Sequence, residues 1–350
     1  MTPLDLLGVT IPIVQAPMAG VSTPELAGAV SNAGGLGSIG IGAIDAAGAR
    51  AMIEETRART DRPFNVNLFA HANPKADQAR ERAWLDALRP LFDRYGAEPP
   101  ATLRTIYRSF ADDDEMLAML VETAPPVISF HFGLPDSDRV SALRQAGCTL
   151  VATATSVAEA RQVEAAGVDM VVAQGWEAGG HRGVFDPDAH DDRLGTMVLT
   201  RLLVTRCALP VIAAGGLMDG AGVHAVLALG AVAAQLGTAF VACPESGADE
   251  LYRAALLGPG AQHTEMTRVI SGRPARCLAN SFTGWGAFAA GVVPDYPRAY
   301  EAGKALNAAA RAAGEGGFGA QWAGQGAPLS RAMPAAELLR LLWREATQPA

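Results

Sequence analysis

Aromatic side chains make up only 6% of the 350 residues, too few for the aromatic-rich core of many all-β sandwiches. No uninterrupted apolar stretch approaches the roughly 18 residues that a membrane-spanning helix needs. The segment Met1 to Val14 also lacks a basic region followed by an apolar one, so no secretory leader is expected there. Positive charge is sparse: 28 Lys and Arg against 36 Asp and Glu leave a net charge of −8, and the basic residues are scattered. Without a basic stripe, no nucleic-acid partner is expected. Cysteine is limited to Cys148, Cys207, Cys243 and Cys277, with no CxxC pair, which speaks against a zinc site or a redox dithiol. Reduced, mostly buried thiols in a soluble cytoplasmic protein without a membrane partner are the expectation.

What the chain does contain is alanine, glycine and short apolar runs, within a hydrophobic content of 49%. The runs alternate with Ala-rich, helix-periodic segments, which is the pattern of repeated βα units around a parallel sheet. The spacing predicts strands over Ile13–Met18, Leu36–Ile41, Phe64–Phe69, Val127–Phe132, Thr149–Thr153, Met170–Gln174, Pro210–Ala214 and Val232–Gly237. It predicts helices over Pro24–Ala33, Ala46–Arg59, Asp136–Ala146, Val157–Ala166 and Gly222–Leu229, several of them ending in Ala-Gly or Leu-Gly, where glycine can close a helix in the left-handed conformation. Eight such strands suit an α/β fold of the closed (β/α)8 TIM-barrel type. The long segment Arg80–Thr123 breaks the rhythm and is expected to hold two helices around a Pro99-Pro100 corner. Beyond Cys243 the pattern turns to loops and helices, including one near Arg298–Ala313 and one over Ala335–Ala346. The expected division is therefore a barrel over 1–243 and a small, mostly helical C-terminal subdomain over 244–350, packed on it.

Barrel active sites lie at the C-terminal ends of the strands, with phosphate groups commonly on the loops after strands seven and eight. Glycines concentrate there. Strand seven ends in Ala213-Ala214-Gly215-Gly216 and strand eight in Gln235-Leu236-Gly237-Thr238. Absent side chains let backbone N–H groups approach an anion, and the Thr238 hydroxyl adds a donor. The bland alternative is a pair of tight βα turns. After strand six stands Gln174-Gly175-Trp176-Glu177-Ala178-Gly179-Gly180-His181-Arg182-Gly183. A histidine flanked by three glycines is expected on exposed, flexible backbone, where an imidazole can act as a base near neutral pH; the alternative is a surface or structural histidine. His131, at the end of strand four, is either a substrate-pocket cation or a packed ring between Phe130 and Phe132. Asp45, Asp219 and Glu177 have no spacing that suggests a carboxylate pair, and they are read as caps or surface charges; no metal is expected. Gly34-Gly35-Leu36-Gly37 precedes a strand instead of opening a helix after one, the wrong context for a dinucleotide fingerprint.

Four motifs fall in order from the first strand onward: Gln15-Ala16-Pro17-Met18-Ala19-Gly20-Val21-Ser22-Thr23, Phe64-Asn65-Val66-Asn67, His131-Phe132-Gly133-Leu134-Pro135 and Gly179-Gly180-His181. With Trp322-Ala323-Gly324-Gln325 in the tail, this set resembles the nitronate monooxygenase family, formerly called 2-nitropropane dioxygenases. The resemblance implies FMN without a nicotinamide requirement, and oxidation of small alkyl nitronates or nitroalkanes by the flavin and O2, propionate 3-nitronate being the typical family substrate. It implies that the backbone at Met18 and the side chains of Asn67 and Gln174 contact the isoalloxazine and ribityl parts, with Gly179 and Gly180 close to the ring. Gly215, Gly216 and the run Gln235, Leu236, Gly237 and Thr238 are implied to hold the phosphate. His181 matches the family histidine that removes the α-proton of neutral nitroalkanes, and His131 is a candidate substrate contact. A related flavin barrel that uses NAD(P)H, such as a quinone or enoyl-thioester reductase, is the competing expectation.

Overall fold

The computed structural model describes residues 2–287, 289, 291 and 293–348. Its strands are β1 (Ile13–Gln15), β2 (Gly37–Gly40), β3 (Phe64–Phe69), β4 (Val127–His131), β5 (Thr149–Ala154), β6 (Met170–Gln174), β7 (Gly180–His181), β8 (Val211–Ala214), β9 (Ala233–Leu236), β10 (Thr264–Thr267) and β11 (Ala275–Leu278). Eight of them pair in parallel in the order β1-β9-β8-β6-β5-β4-β3-β2. A parallel bridge between Val14 and Leu36, with the Gln15 N–H donating to the Leu36 carbonyl at 2.9 Å, brings the two edges together. The sheet thus closes into the (β/α)8 barrel, and every barrel strand anticipated from the sequence is present.

Helix stops follow the sequence too. Gly34, Gly147, Gly167 and Gly230 take φ values between +75° and +102°, turning the chain into the next strand. Asp45 and Asp219 cap helices, accepting from the Gly48 and Gly222 amides at 2.8 and 2.9 Å, as their reading as caps requires. Among the described residues no helix is long and apolar enough to cross a membrane.

The two-residue period of the strands decides what faces the barrel axis. In β6, Val171 and Ala173 pack outward under the helices, whereas Met170 and Val172 point inward. The inward set at the N-terminal end is apolar, joining Val14, Leu36, Val127, Val151, Met170 and Ile212, and the helix Pro3–Leu7 seals it with Leu7. Toward the C-terminal ends the inward positions turn polar: Asn67, Ser129, Thr153, Gln174 and Gln235 line a cavity there.

One correction concerns the region outside the barrel repeat. The tail, expected as loops and helices, also carries the antiparallel hairpin β10–β11, and β11 pairs with β7, placing Ala275 opposite His181. Gly180 and His181 have no intrinsic strand preference; pairing with a segment about ninety residues away creates the strand. The long connection after β3 holds two helices, Gln78–Asp93 and Asp114–Thr123, as expected, and it packs against the tail. Trp84, Leu85, Leu88 and Phe92 of the helix Gln78–Asp93 share one core with Ile270, Cys277, Phe282, Leu306 and Phe318. A half-buried Arg298–Glu81 ion pair at 2.7 Å fastens the same contact. The connection and the tail together roof the barrel mouth. The terminal helix Ala335–Thr347 instead packs beside the barrel helices Pro24–Asn32 and Gly220–Ala228.

Candidate active site

A cavity of about 500 Å³ opens at the C-terminal ends of the strands, in the size range of small-molecule sites. Met18, Asn67, His131, Gln174, Gly179, Gly180, His181, Gly215, Gly216, Gln235, Gly237 and Thr238 all border it. Leu236 does not. Strand alternation turns its side chain outward into the core with Leu26, Val223 and Leu339, which leaves its backbone as the part of the residue at the loop. Its carbonyl accepts from the Ala16 amide at 2.8 Å and keeps the first and last strand ends together.

His181 is not on exposed, flexible backbone. It sits in β7, and its carbonyl oxygen accepts from Gln174 Nε2 at 3.0 Å and from His131 Nε2 at 3.2 Å. The Gln174 carboxamide is engaged at both ends, because its Oε1 accepts from the Gly183 amide at 2.7 Å. The His181 ring is enclosed by Phe132, Tyr296 and Trp322, with centroids 5.4, 5.4 and 4.9 Å away. Close packing also explains Gly179: a Cβ there would lie 2.4 Å from the Gly324 amide nitrogen, so the tail motif passes directly against the loop. Gly324 N–H donates to Thr238 Oγ1 at 3.0 Å, leaving the hydroxyl proton of Thr238 to donate elsewhere. Glu177 bonds the Thr196 amide at 2.8 Å and hydroxyl at 2.9 Å, and so caps the helix Thr196–Arg206.

His131 has both ring nitrogens occupied. Nε2 must carry its proton, since it meets a carbonyl, and Nδ1 accepts from Thr153 Oγ1 at 3.1 Å. His131 braces the His181 backbone while also bordering the cavity. Burial pushes His131 down to about 4 and His181 down to about 3, helped by the positive charge of Arg273, and lowers His71 as well. Arg273 is itself buried, with no carboxylate in contact among the described residues; it lies 4.3 Å above the Phe132 ring and donates to the Val184 carbonyl. His181 is therefore a neutral imidazole at physiological pH, not a group poised to titrate there.

These histidines predict an acid-sensitive fold. Their folded-state values lie below the unfolded value near 6.5, so the unfolded chain binds more protons as pH falls through 6.5 toward 4. Stability is full above pH 6.5 and is lost below it, approaching about 1.4 kcal/mol per pH unit for each histidine. Urea midpoints of the apoprotein measured from pH 7.5 to 5 should decline. A flat profile would mean that the rings are protonated in the folded state.

Sequence reasoning missed the roof. Four of the five tyrosines, Tyr107, Tyr252, Tyr296 and Tyr300, border the cavity, as does Lys304, one of only two lysines in the chain. Lys304 Nζ lies 4.9 and 5.3 Å from the Tyr107 and Tyr300 ring centroids, and burial lowers its pKa. Burial raises the tyrosines, Tyr107 up to about 12, so their hydroxyls remain neutral donors. Only the scarcity of Tyr and Lys hinted at a shared site.

The family model described as nitronate monooxygenase matches residues 2–345. A nitronate monooxygenase of Paraburkholderia phytofirmans is 63% identical, covering 99% of this chain and 94% of its own. One of Pseudomonas aeruginosa is 58% identical, covering 97% of each. Among solved structures, nitroalkane oxidase from Streptomyces ansochromogenes superposes with a TM-score of 0.90 at 41% identity, over 99% of this chain and 98% of that one. FabK from Thermotoga maritima follows at 0.75 and 30% identity, over 98% and 94%.

Proposed function

We propose, from the premise that the chain belongs to the nitronate monooxygenase family, that its barrel cavity holds FMN and oxidises alkyl nitronates with O2 to carbonyl compounds and nitrite, without NAD(P)H. The observation that carries this reading is the convergence, around one cavity, of the glycine loops after β8 and β9 with His181 of β7. The residues suit the cofactor. Gly215 and Gly216 have φ of +121° and +68° and leave backbone uncovered, and Thr238 retains a hydroxyl proton, which together make an anion cradle. Met18, Asn67, Gln174, Gly179 and Gly180 border the space that an isoalloxazine and its ribityl chain would take.

Bound FMN supplies the two-electron acceptor and the partner for O2. The chain supplies the rest. His181, neutral at physiological pH, removes the α-proton of a neutral nitroalkane, a step that an anionic nitronate no longer needs. Lys304 and the Tyr107 and Tyr300 hydroxyls give the cavity a cation and neutral donors suited to an anionic nitro compound such as propionate 3-nitronate. Anaerobic titration of the purified protein with propionate 3-nitronate should bleach the flavin spectrum. Rapid bleaching by NADH alone would favour a nicotinamide-dependent reductase, the reading less supported by relatives at 58% and 63% identity.

Mass analysis of the released cofactor should give FMN. One phosphate cradle at the barrel mouth, and no dinucleotide fingerprint in a strand-to-helix turn, leave no place for an adenosine half. A dominant FAD mass would overturn the assignment.

A further inference from the structure

A neutral imidazole holds one ring proton, and the nitrogen without it is the one that can act as a base. Ser271, buried in the loop between β10 and β11, places its Oγ 2.8 Å from His181 Nε2. The same Oγ is 3.3 Å from the Arg273 carbonyl oxygen and 3.4 Å from the Arg273 amide nitrogen. A carbonyl only accepts and an amide N–H only donates. The hydroxyl proton therefore goes to the carbonyl, and one lone pair of Oγ receives the amide. The second lone pair faces Nε2, and that bond is complete when Nε2–H donates. In the opposite arrangement the hydroxyl proton turns to the ring and the Arg273 carbonyl loses this donor inside a buried loop.

The loop has little freedom to rearrange. Gly272 N–H donates to the Arg268 carbonyl at 2.7 Å, and a Cβ on Gly272 would stand 2.5 Å from both the Pro294 carbonyl oxygen and the Tyr296 nitrogen. On the other side of the ring, His181 Nδ1 has no hydrogen-bond partner among the described residues. It is also absent from the polar atoms sealed off from solvent, and His181 borders the cavity.

We infer that Ser271 is a positioning residue that holds His181 as its Nε2–H tautomer and makes Nδ1 the atom that takes the substrate α-proton. This rests on the function proposed above. In the step, the substrate Cα–H bond breaks, its electron pair forms the C=N bond of the nitronate while the nitro oxygens take the negative charge, and the proton passes to Nδ1. The Nε2–H bond to Ser271 persists in the imidazolium, so the ring does not have to turn.

The test is the nitrogen spectrum of the flavin-loaded protein labelled with 15N-histidine at neutral pH, with His181 assigned by its loss in His181→Asn. Protonated and bare ring nitrogens resonate far apart. The wild type should show Nε2 protonated and Nδ1 bare, Ser271→Ala a mixed or reversed pattern, and Ser271→Thr, which keeps the hydroxyl, the wild-type pattern. In Ser271→Ala the ratio of nitroalkane to nitronate kcat/KM should fall on the order of tenfold to a hundredfold, and it should recover in Ser271→Thr. A wild-type ring protonated at Nδ1, or Ser271→Ala with unchanged shifts and an unchanged ratio, would overturn the inference. A wild-type protein that binds no flavin and turns over no nitronate overturns the proposed function instead, and the ring spectrum still decides the tautomer.

Discussion

Replacing His181 with asparagine should lower turnover of neutral nitroalkanes on the order of 10²–10⁴-fold while lowering nitronate turnover far less. The nitroalkane must lose an α-proton before its electrons can leave, whereas the nitronate has already lost it. Asparagine keeps a polar side chain but has no group that accepts a proton at neutral pH. The low basicity that burial imposes on His181 in the free protein does not remove this role. Proton transfer creates a nitronate anion beside the ring, and an opposite charge at close range in a poorly solvated site favours the imidazolium. Neutrality before the substrate arrives even helps, because the proton-accepting form is always the one present. Steady-state kinetics on nitroethane and on its nitronate, normalised to bound flavin, decide the matter. Equal losses on both substrates with the flavin in place would withdraw the base role and leave His181 a binding residue.

Legibility from sequence divided along physical lines. The barrel strands could be read because each is a short apolar run between glycine-closed helices, a local signal that tertiary packing reinforces. The polar ends of those strands could be read for the same reason: once β3 and β6 are placed, alternation sends Asn67 and Gln174 inward. The same rule turns the Leu236 side chain outward and leaves only its backbone toward the loop. Non-local structure was invisible. Nothing in Gly179-Gly180-His181 announces a strand, since its partner Ala275–Leu278 is remote and itself short. Likewise Tyr107 in the connection after β3 meets Tyr296 and Tyr300 in the tail only because Trp84 and Phe92 share a core with Phe282 and Phe318. The roof, and with it Lys304 and Ser271, belongs to that pairing of distant segments.

Gly216 offers the sharpest check on where the cofactor phosphate lies. Its φ of +68° falls in the left-handed region, and a Cβ there would stand 2.9 Å from the Glu177 Cβ. Any side chain thus costs about 1–2 kcal/mol of backbone strain, less for asparagine and aspartate, which tolerate this conformation best. Gly216→Asn and Gly216→Asp carry side chains of nearly the same shape, so strain and crowding are common to both and charge alone separates them. A carboxylate about 4 Å from a phosphate oxygen repels it by about 4 kcal/mol at an effective dielectric constant near 20, which is roughly a thousandfold in affinity. Flavin retained after dialysis should therefore be partial in Gly216→Asn and nearly absent in Gly216→Asp. Added salt should recover little of the loss, because a pair this close lies inside the screening length. Were Gly216→Asp to keep its flavin as well as Gly216→Asn does, no anion would lie at this loop. Gly215 and Gly216 would then be a tight turn between β8 and its helix and nothing more, and the phosphate would have to be sought along Gln235 to Thr238 alone.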